Sequence, residues 1–149
     1  MSACKTEALV NAPIETIWQL VGDPRRHPEW WPRVVEVRGE RFEEGNEYAQ
    51  VTRGPTGQVT TNFLVETRED LREIKMRCQV SGTYAHWLMT EARGGTFINV
   101  EFGMDPVDLG TRLFDGIVGR IYFRRWLQQS VEGLQEAAAS SGAAGSQQA

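Results

Sequence analysis

The spacing of hydrophobic residues changes twice along the chain. Residues 14–21 carry apolar side chains three and four positions apart, which predicts a short amphipathic helix. From residue 34 to about residue 105 apolar and polar positions alternate, and this period of two predicts strands. Beyond Pro106 the spacing of three and four returns, which predicts a long helix from about Leu109 to Ala139.

The alternating region divides into six strands joined by short links that contain turn formers or charged residues. The segments are VVEVRGERF, NEYAQVTRG, QVTTNFLVETRED, REIKMRCQV, TYAHWLMTEARG and GTFINVEFGMD. Such short links favour antiparallel neighbours in a meander. The clean alternation of two strands predicts an inward set of Ile74, Met76, Cys78, Val80, Ile98, Val100, Phe102 and Met104. The third segment is less regular: Val59, Phe63 and Val65 share one face, and Leu64 interrupts the other.

The order of elements predicts an α+β fold. CKTEALVNAP predicts one more strand before the first helix, and Pro24, Pro28 and Pro32 permit only a second short helix after it. This order lacks the crossovers of a doubly wound sheet. We therefore expect a curved antiparallel seven-stranded sheet wrapped around the long C-terminal helix, with two short helices between strands 1 and 2. Such an architecture leaves a natural cavity between sheet and helix.

The composition narrows the classes of partner. The chain of 149 residues has 16 basic and 20 acidic side chains, a net charge of −4, which disfavours nucleic acid and anionic membranes. It contains no run of about 18 apolar residues, so we expect no stable membrane insertion. The start MSACKTEALV lacks the basic and apolar regions of a secretory signal, and a cytoplasmic location is expected.

The cysteines and histidines do not predict a metal site. Cys4 and Cys78 lie far apart without a CxxC spacing, which favours two reduced thiols and leaves open a disulfide if their strands are neighbours. His27 and His86 form no closely spaced ligand pair with each other or with the cysteines. We therefore expect no metal and no cofactor.

Three stretches carry a resemblance to a known superfamily: VNAPIETIWQLVGDPRRHPEWWPRVVEV at 10–37, GGTFINVEFGMDP at 94–106, and the helix from DLGTRLF to SVEGLQEAAA. With these the chain resembles the START-like, or helix-grip (SRPBCC, Bet v 1-like), superfamily and its bacterial polyketide cyclase/dehydrase-like members. The resemblance implies the helix-grip fold, as a single domain over residues 1–139. It specifies function poorly, because the superfamily holds lipid carriers, hormone receptors, aromatase/cyclases and ring-hydroxylase domains. The small polar residues 140–149 are expected to form a disordered tail.

The segment VGDPRRHPEWWPRV at 21–34 is interpreted as a lid. The resemblance implies that it closes the pocket mouth beside the terminal helix. We expect Trp30 to pack as core under the helix and Trp31 to line the entrance, because two adjacent indoles can hardly share one core. The alternative is that both rings plug the end of the barrel. His27, among charged neighbours, is expected in solvent, with a polar contact at the pocket rim as the alternative.

The strand TYAHWLMTEARG has two registers with different chemical consequences. If Tyr84, His86 and Leu88 face inward, Tyr84 and His86 form a candidate general acid/base pair. In the other register Trp87 and Met89 face the cavity and His86 lies in water. The bulk of Trp87 and Met89 favours the second register.

Three functions are compatible with these patterns. The favoured hypothesis is binding of a small hydrophobic, aromatic or lipid-like molecule in the cavity. The expected lining is Trp30, Trp31, Phe63, Met76, Trp87, Val100, Phe102, Ile117 and Ile121, with Tyr48, Thr61 and Asn62 as candidate polar contacts. The alternative is an aromatase/cyclase or dehydratase that uses an inward Tyr84/His86 pair. The third is an interaction protein with a filled cavity and a homodimer contact through the C-terminal helix.

The last helix carries two features that bear on this third function. Gly116 and Gly119 each cost about 1 kcal/mol relative to alanine, so they mark a close backbone approach or room for a ligand. The basic cluster Arg120, Arg124 and Arg125 has aromatic residues between its members. It predicts either side chains that extend past buried rings to solvent or a face that binds a partner.

Overall fold

The structure is a computed structural model, and it describes residues 2–54, 56–105 and 120–148. The strands are β1 (Ser2–Val10), β2 (Val34–Arg38), β3 (Glu47–Gly54), β4 (Gly57–Glu69), β5 (Glu73–Cys78), β6 (Thr83–Ala92) and β7 (Gly95–Met104). The helices are α1 (Ile14–Val21), α2 (His27–Trp30) and α3 (Arg120–Gln148), and a 3-10 turn (Pro24–Arg26) precedes α2.

The strands form one antiparallel sheet in the order β1-β7-β6-β5-β4-β3-β2. Consecutive strands from β2 to β7 are neighbours, and β1 pairs with β7 from Ser2↔Met104 to Val10↔Thr96. The ladders between β2 and β3 and between β4 and β5 each contain an irregularity of register, a feature that bends a sheet. The predicted α+β helix-grip arrangement is therefore confirmed.

The concave face of the sheet is apolar, as the alternation of apolar and polar residues predicted. The inward residues of β7 (Ile98, Val100, Phe102 and Met104) and of β5 (Ile74, Met76 and Cys78) are all buried. Two residues of the predicted apolar faces behave differently. Val80 is 62% exposed, because β5 ends at Cys78 and Val80 lies in the turn that follows. Val59 is 51% exposed near the start of β4.

Helix α1 packs its apolar stripe against the core. Its buried side chains are Ile14, Ile17, Leu20 and Val21, whereas Trp18, which the spacing of three and four also placed on the apolar side, is half-buried. The N-cap is Pro13, and no side chain caps this end. At the other end the N–H of Gly22 donates to the carbonyl oxygen of Trp18 at 2.7 Å.

The described part of α3 packs on β1 and β7 and on the two short helices. Its buried residues are Phe123, Trp126, Leu127, Ser130, Val131, Leu134 and Ala138. At Gly133 the helix meets α2 so closely that an added Cβ would collide with the carbonyl oxygen of Trp30. The beginning of the predicted helix, with Gly116 and Gly119, lies outside the described residues, and the predicted disorder of residues 140–149 stays a prediction. None of the described helices combines the length and the hydropathy that a membrane span requires.

Candidate functional site

An aromatic cluster occupies the core where the helices meet the concave face of the sheet. Trp30 and Trp31 stack with their ring centroids 5.4 Å apart and their planes 10° apart. Trp31 also stacks on Phe102 of β7 and on Trp126 of α3, at 5.5 and 5.7 Å. Trp87 of β6 meets Trp31 edge to face at 5.5 Å. One indole thus joins the lid segment, the sheet and the terminal helix.

The expectation that Trp31 lines an open entrance is wrong. Trp30 and Trp31 are 5% and 4% exposed and belong to the same core. The reason lies in the backbone: α2 ends at Trp30, and Trp31 has extended dihedral angles of φ −89° and ψ 111°. The change of conformation between the two residues lets both rings lie parallel in one core, as the alternative prediction had it.

The expectation that His27 lies in solvent is also wrong. His27 is fully buried, and its Nε2 lies 2.8 Å from the carbonyl oxygen of Val21. A carbonyl only accepts, so Nε2 carries the proton and Nδ1 of the neutral ring is an acceptor. Nδ1 has no partner within the described residues. Burial lowers the pKa of His27 to about 4, although the bond to Val21 and the nearby Asp23 oppose this effect.

The indole N–H groups of the cluster divide into two kinds. Trp30 Nε1 donates to the carbonyl oxygen of Leu20 at 2.9 Å, and Trp126 Nε1 donates to that of Pro32 at 2.8 Å. Trp31 Nε1 and Trp87 Nε1 are buried, and neither has a hydrogen-bond partner in the described part of the chain. Buried donors without partners are rare and call for an explanation, such as a bound water, a strained site or a functional role.

A second aromatic group lies further along the concave face. The ring of Tyr48 on β3 stacks on Phe63 of β4 at 5.7 Å and meets Phe42 edge to face at 5.4 Å. The Tyr48 hydroxyl is buried and has no partner among the described residues, and burial raises its pKa well above the ordinary value. Next to it on the same face, Gln50 is buried and donates to Thr52 at 3.0 Å. Gln50 was not predicted, although its position two residues after Tyr48 on a strand could have indicated it.

The favoured register of β6 is confirmed. Trp87 and Met89 are buried at 0% and 3% exposure, opposite Val100 and Ile98 of β7. Tyr84 and His86 therefore lie on the convex face, where each contacts a carboxylate. The Tyr84 hydroxyl donates to Glu101 at 2.7 Å, and His86 Nε2 lies 2.5 Å from Glu73. The inward acid/base pair that the enzyme hypothesis required is absent from the described concave face.

Tyr84 belongs to a network of charged residues on the convex face. Arg77 donates to Glu66 at 2.6 Å and to Asp105 at 2.9 Å, and its guanidinium lies 4.9 Å from the centroid of the Tyr84 ring. The hydrogen bond from Arg77 lowers the pKa of Glu66, with partial burial opposing. A depression of about 580 Å³ beside this network is lined by residues that include Lys5 and His86. Because these charged side chains are paired with one another, we interpret this face as a stabilising surface network and not as a binding site.

The predicted pocket residues fall into three groups. Met76, Trp87, Val100 and Phe102 are buried on the concave face with Trp30 and Trp31, and Phe63 is half-buried there. Ile121 is 73% exposed and contributes nothing to this core, and Ile117 lies outside the described residues. Among the candidate polar contacts, Thr61 lies opposite Gln50 on the concave side, while Asn62 is exposed beside Ala49 on the other side.

No disulfide joins Cys4 and Cys78. Their strands, β1 and β5, are not neighbours in the sheet, so the disulfide that the sequence left open does not form. Within the described ranges, no group of three or more His, Cys, Asp or Glu side chains is arranged to hold a metal ion.

Solved structures share the fold at low sequence identity. A Nitrosomonas europaea protein superposes with a TM-score of 0.76 at 14% identity, over 95% of this chain and 96% of that chain. A Bacillus halodurans protein gives a TM-score of 0.74 at 18% identity, over 93% and 97% of the two chains. For a Staphylococcus aureus protein of unknown function the TM-score is 0.73 at 11% identity, with 95% of each chain covered. At these identities the likeness shows the fold alone.

The sequence itself matches one family model. The family described as polyketide cyclase / dehydrase and lipid transport matches residues 1–139. No curated protein matches the chain.

Proposed function

The chain belongs to the polyketide cyclase / dehydrase and lipid transport family, and we propose that its concave face binds one small hydrophobic molecule, aromatic or lipid-like. Family and fold together suggest a hydrophobic ligand-binding or a cyclase/dehydrase-type protein. The lining of the concave face favours binding, because it combines a large aromatic surface with a few isolated polar groups, the usual composition of a small-molecule site.

The observation that carries the proposal is the pair of aromatic groups along the concave face. One group is built around Trp31, Trp87 and Phe102, the other around Tyr48 and Phe63. Met76 of β5 lies between β4 and β6 on the same face. Aromatic rings are rigid and offer large contact areas, so they suit a planar or chain-like apolar molecule.

The unpartnered polar groups suggest the chemistry of the ligand's polar end. Each buried donor without a partner costs about 1–3 kcal/mol, and a ligand oxygen that accepted its proton would recover part of that cost. Among the described residues, the hydroxyl of Tyr48 and the indole N–H groups of Trp31 and Trp87 are such donors. The proposed ligand is therefore an apolar molecule with a carbonyl, hydroxyl or carboxylate oxygen.

The test compares two adjacent residues of β4 that point to opposite faces. Phe63 stacks on Tyr48 on the concave face, whereas Leu64 lies opposite Arg77 on the convex face, and both are half-buried. A hydrophobic fluorescent dye serves as the probe, and its affinity is measured by titration. Phe63→Ala should weaken binding by about tenfold, the effect of losing an aromatic contact, and Leu64→Ala should leave it within about twofold.

Native mass spectrometry of the gently purified protein provides a second readout. A bound molecule that is retained by the parent and by Leu64→Ala but lost by Phe63→Ala supports the proposal. Equal effects of the two substitutions on both readouts, or no binding of any probe to the parent, would overturn it.

A cyclase or dehydratase is a second candidate function, and the position of His27 favours it. A general base must be unprotonated at the working pH and needs a free lone pair near the substrate. A pKa of about 4 meets the first condition but makes His27 a weaker base than an ordinary histidine. His27 is neutral, and its Nδ1 has no hydrogen-bond partner in the described ranges. The ring lies 4.9 Å from that of Trp31. This hypothesis replaces the Tyr84/His86 pair with His27. It predicts that a bound polyketide-like molecule is converted by the parent and is bound but unchanged by His27→Gln, whereas His86→Gln remains active.

A further inference from the structure

The two edges of the sheet are built differently. β2, at one edge, has only five residues and an irregular register against β3. β1, at the other edge, has nine residues and a continuous register against β7. Natural proteins usually protect exposed edges by short strands, bulges, proline or charge, because a long regular edge is a template for another strand. β2 has two of these protections, and β1 has neither a bulge nor a proline.

The outer edge of β1 has no strand partner in the described part of the chain. Among the described strands β1 pairs only with β7, and the described helix that contacts β1 is α3. A strand presents backbone N–H and C=O groups to both edges, so a regular strand with one neighbour has a row of donors and acceptors available for another.

We propose that β1 pairs with β1 of a second copy of this chain, antiparallel and across a two-fold axis at Thr6. Such pairing is isologous, since each strand makes the same contacts to the other, and it joins the two sheets into one. It places Lys5 opposite Glu7 of the second copy and Glu7 opposite Lys5. This dimer is joined at the sheet edge, whereas the sequence suggested a contact through the C-terminal helix.

The charges of β1 select this register. Lys5 and Glu7 both lie on the convex face and are exposed, and the side chain of Lys5 is 78% accessible. An axis at Lys5 would face two lysines, an axis at Glu7 would face two glutamates, and both arrangements are unfavourable. Only the axis at Thr6 makes two opposite-charge pairs while each side chain keeps to its own face of the sheet. Lysine on an edge usually opposes pairing, but here the second copy supplies the glutamate.

The proposed contact also accounts for an exposed apolar residue. Leu9 is 48% exposed on the convex face of β1. In the register centred on Thr6, Leu9 lies opposite Ala3 of the second copy, so the methyl of the alanine and the leucine side chain cover each other.

A groove beside β1 leaves room for side chains of the second strand. A groove of about 530 Å³ lies between residues 3–6 of β1 and α3, where Leu127 and Val131 form part of its wall. In the register centred on Thr6, the residues of the second β1 that lie opposite Cys4 and Thr6 are Ala8 and Thr6, and both are small. The groove is therefore matched to the side chains that the pairing would insert.

Charge exchange tests the register. The dissociation constant of the dimer is measured by analytical ultracentrifugation for the parent, Lys5→Glu, Glu7→Lys and the double variant Lys5→Glu/Glu7→Lys. Each single change turns both facing pairs into like charges and should weaken the dimer by about tenfold. The double variant restores both pairs and should return to within about threefold of the parent.

The double variant separates the contact between copies from a contact within the chain. Lys5 also forms an ion pair with Glu101 at 3.2 Å, and the double variant does not restore that pair. Recovery of the dimer by the double variant therefore depends on the partner strand. Urea denaturation of each variant shows whether the monomer is equally stable.

A cross-link tests the position of the axis. In a Cys4→Ser background, Thr6→Cys places two thiols across the axis, while the control Leu9→Cys places them about 20 Å apart along antiparallel strands. Mild oxidation should give a covalent dimer with Thr6→Cys and not with Leu9→Cys. A chain that sediments as a monomer at all concentrations, a dimer unaffected by the charge changes, or equal cross-linking at both positions would overturn the proposal.

Discussion

The buried imidazole of His27 donates from Nε2 to the carbonyl oxygen of Val21, and this bond joins the lid segment to the end of α1. The same bond determines that the opposite nitrogen, Nδ1, has a lone pair directed away from Val21. His27 also contacts the rings of Trp30 and Trp31 edge to face, at 5.5 and 4.9 Å. A change in the charge of this ring would therefore affect both the end of α1 and the aromatic cluster.

Mild acid should destabilise the protein through His27. The pKa of His27 is lowered from about 6.5 to about 4 in the folded state, so between these values the unfolded chain binds the proton more readily. Stability therefore falls as the pH falls through this window, by about 2 kcal/mol between pH 7.5 and pH 5. Urea denaturation at the two pH values measures it. His27→Phe should lack this loss, and His86→Gln, which retains His27, should keep it.

Replacement of Tyr48 by phenylalanine should stabilise the ligand-free protein. The ring contacts with Phe42 and Phe63 are kept, while a buried hydroxyl without a described partner is removed. The expected gain in the free energy of unfolding is about 1 kcal/mol. Thermal denaturation checks the gain, and the dye titration should show weaker binding of any probe whose oxygen accepts from Tyr48. A loss of stability in Tyr48→Phe would mean that the hydroxyl is hydrogen-bonded.

Replacement of Tyr84 by phenylalanine should have the opposite effect on stability. Its hydroxyl donates to the carboxylate of Glu101, which also pairs with Lys5. Although partial burial opposes ionisation, these contacts lower the pKa of Glu101. Tyr84→Phe should lower the free energy of unfolding by about 1 kcal/mol at neutral pH. Hydrogen bonds to charged groups stabilise a fold more than bonds between neutral groups do, but partial solvation of this carboxylate reduces the effect. Urea denaturation of Tyr84→Phe and Tyr48→Phe measures both changes in the free energy of unfolding. Changes in the same direction for the two variants would contradict the prediction.

Alanine at position 133 should destabilise the contact between α3 and α2. In a free helix the change from glycine would gain about 1 kcal/mol. Here the new methyl would meet the carbonyl oxygen of Trp30, a backbone atom that cannot rotate away. Overpacking of this kind costs about 1–3 kcal/mol, so Gly133→Ala should be less stable than the parent. The exposed neighbour provides the control, because Glu132→Ala changes no such contact. A more stable Gly133→Ala would show that α3 can move away from α2.

The sheet could be predicted from the sequence because its signal is local. The alternation of apolar residues along β7 does not depend on which element packs against them; the residues are Ile98, Val100, Phe102 and Met104. The prediction failed for Val80, where the strand ended before the alternation did. The inward choice of Trp87 over His86 was also predictable, since the larger apolar side chains identify the buried face.

The site was harder to predict because it depends on contacts between distant segments. His27 has charged neighbours in sequence, and its burial comes from Val21 and the two tryptophans. The spacing of three between His27 and Trp30 was a signal that both lie on one side of a helical turn. The Tyr84 hydroxyl has a hydrogen-bond partner and that of Tyr48 has none in the part of the chain that the structure describes. This difference depends on the face that each ring occupies, which the sequence does not reveal without the register.

The pairing of β1 with β7 has a consequence for synthesis. Every other neighbouring pair in the sheet is also consecutive along the chain and can form soon after its second strand leaves the ribosome. β1 is made first, yet its partner residues run from Thr96 to Met104. The closure of this long loop carries an entropic cost before the contacts repay it, so this pairing is expected to be the slow step of folding. While the middle strands are being translated, the first nine-residue strand has no partner in its own chain and is exposed to chaperones and to other nascent chains.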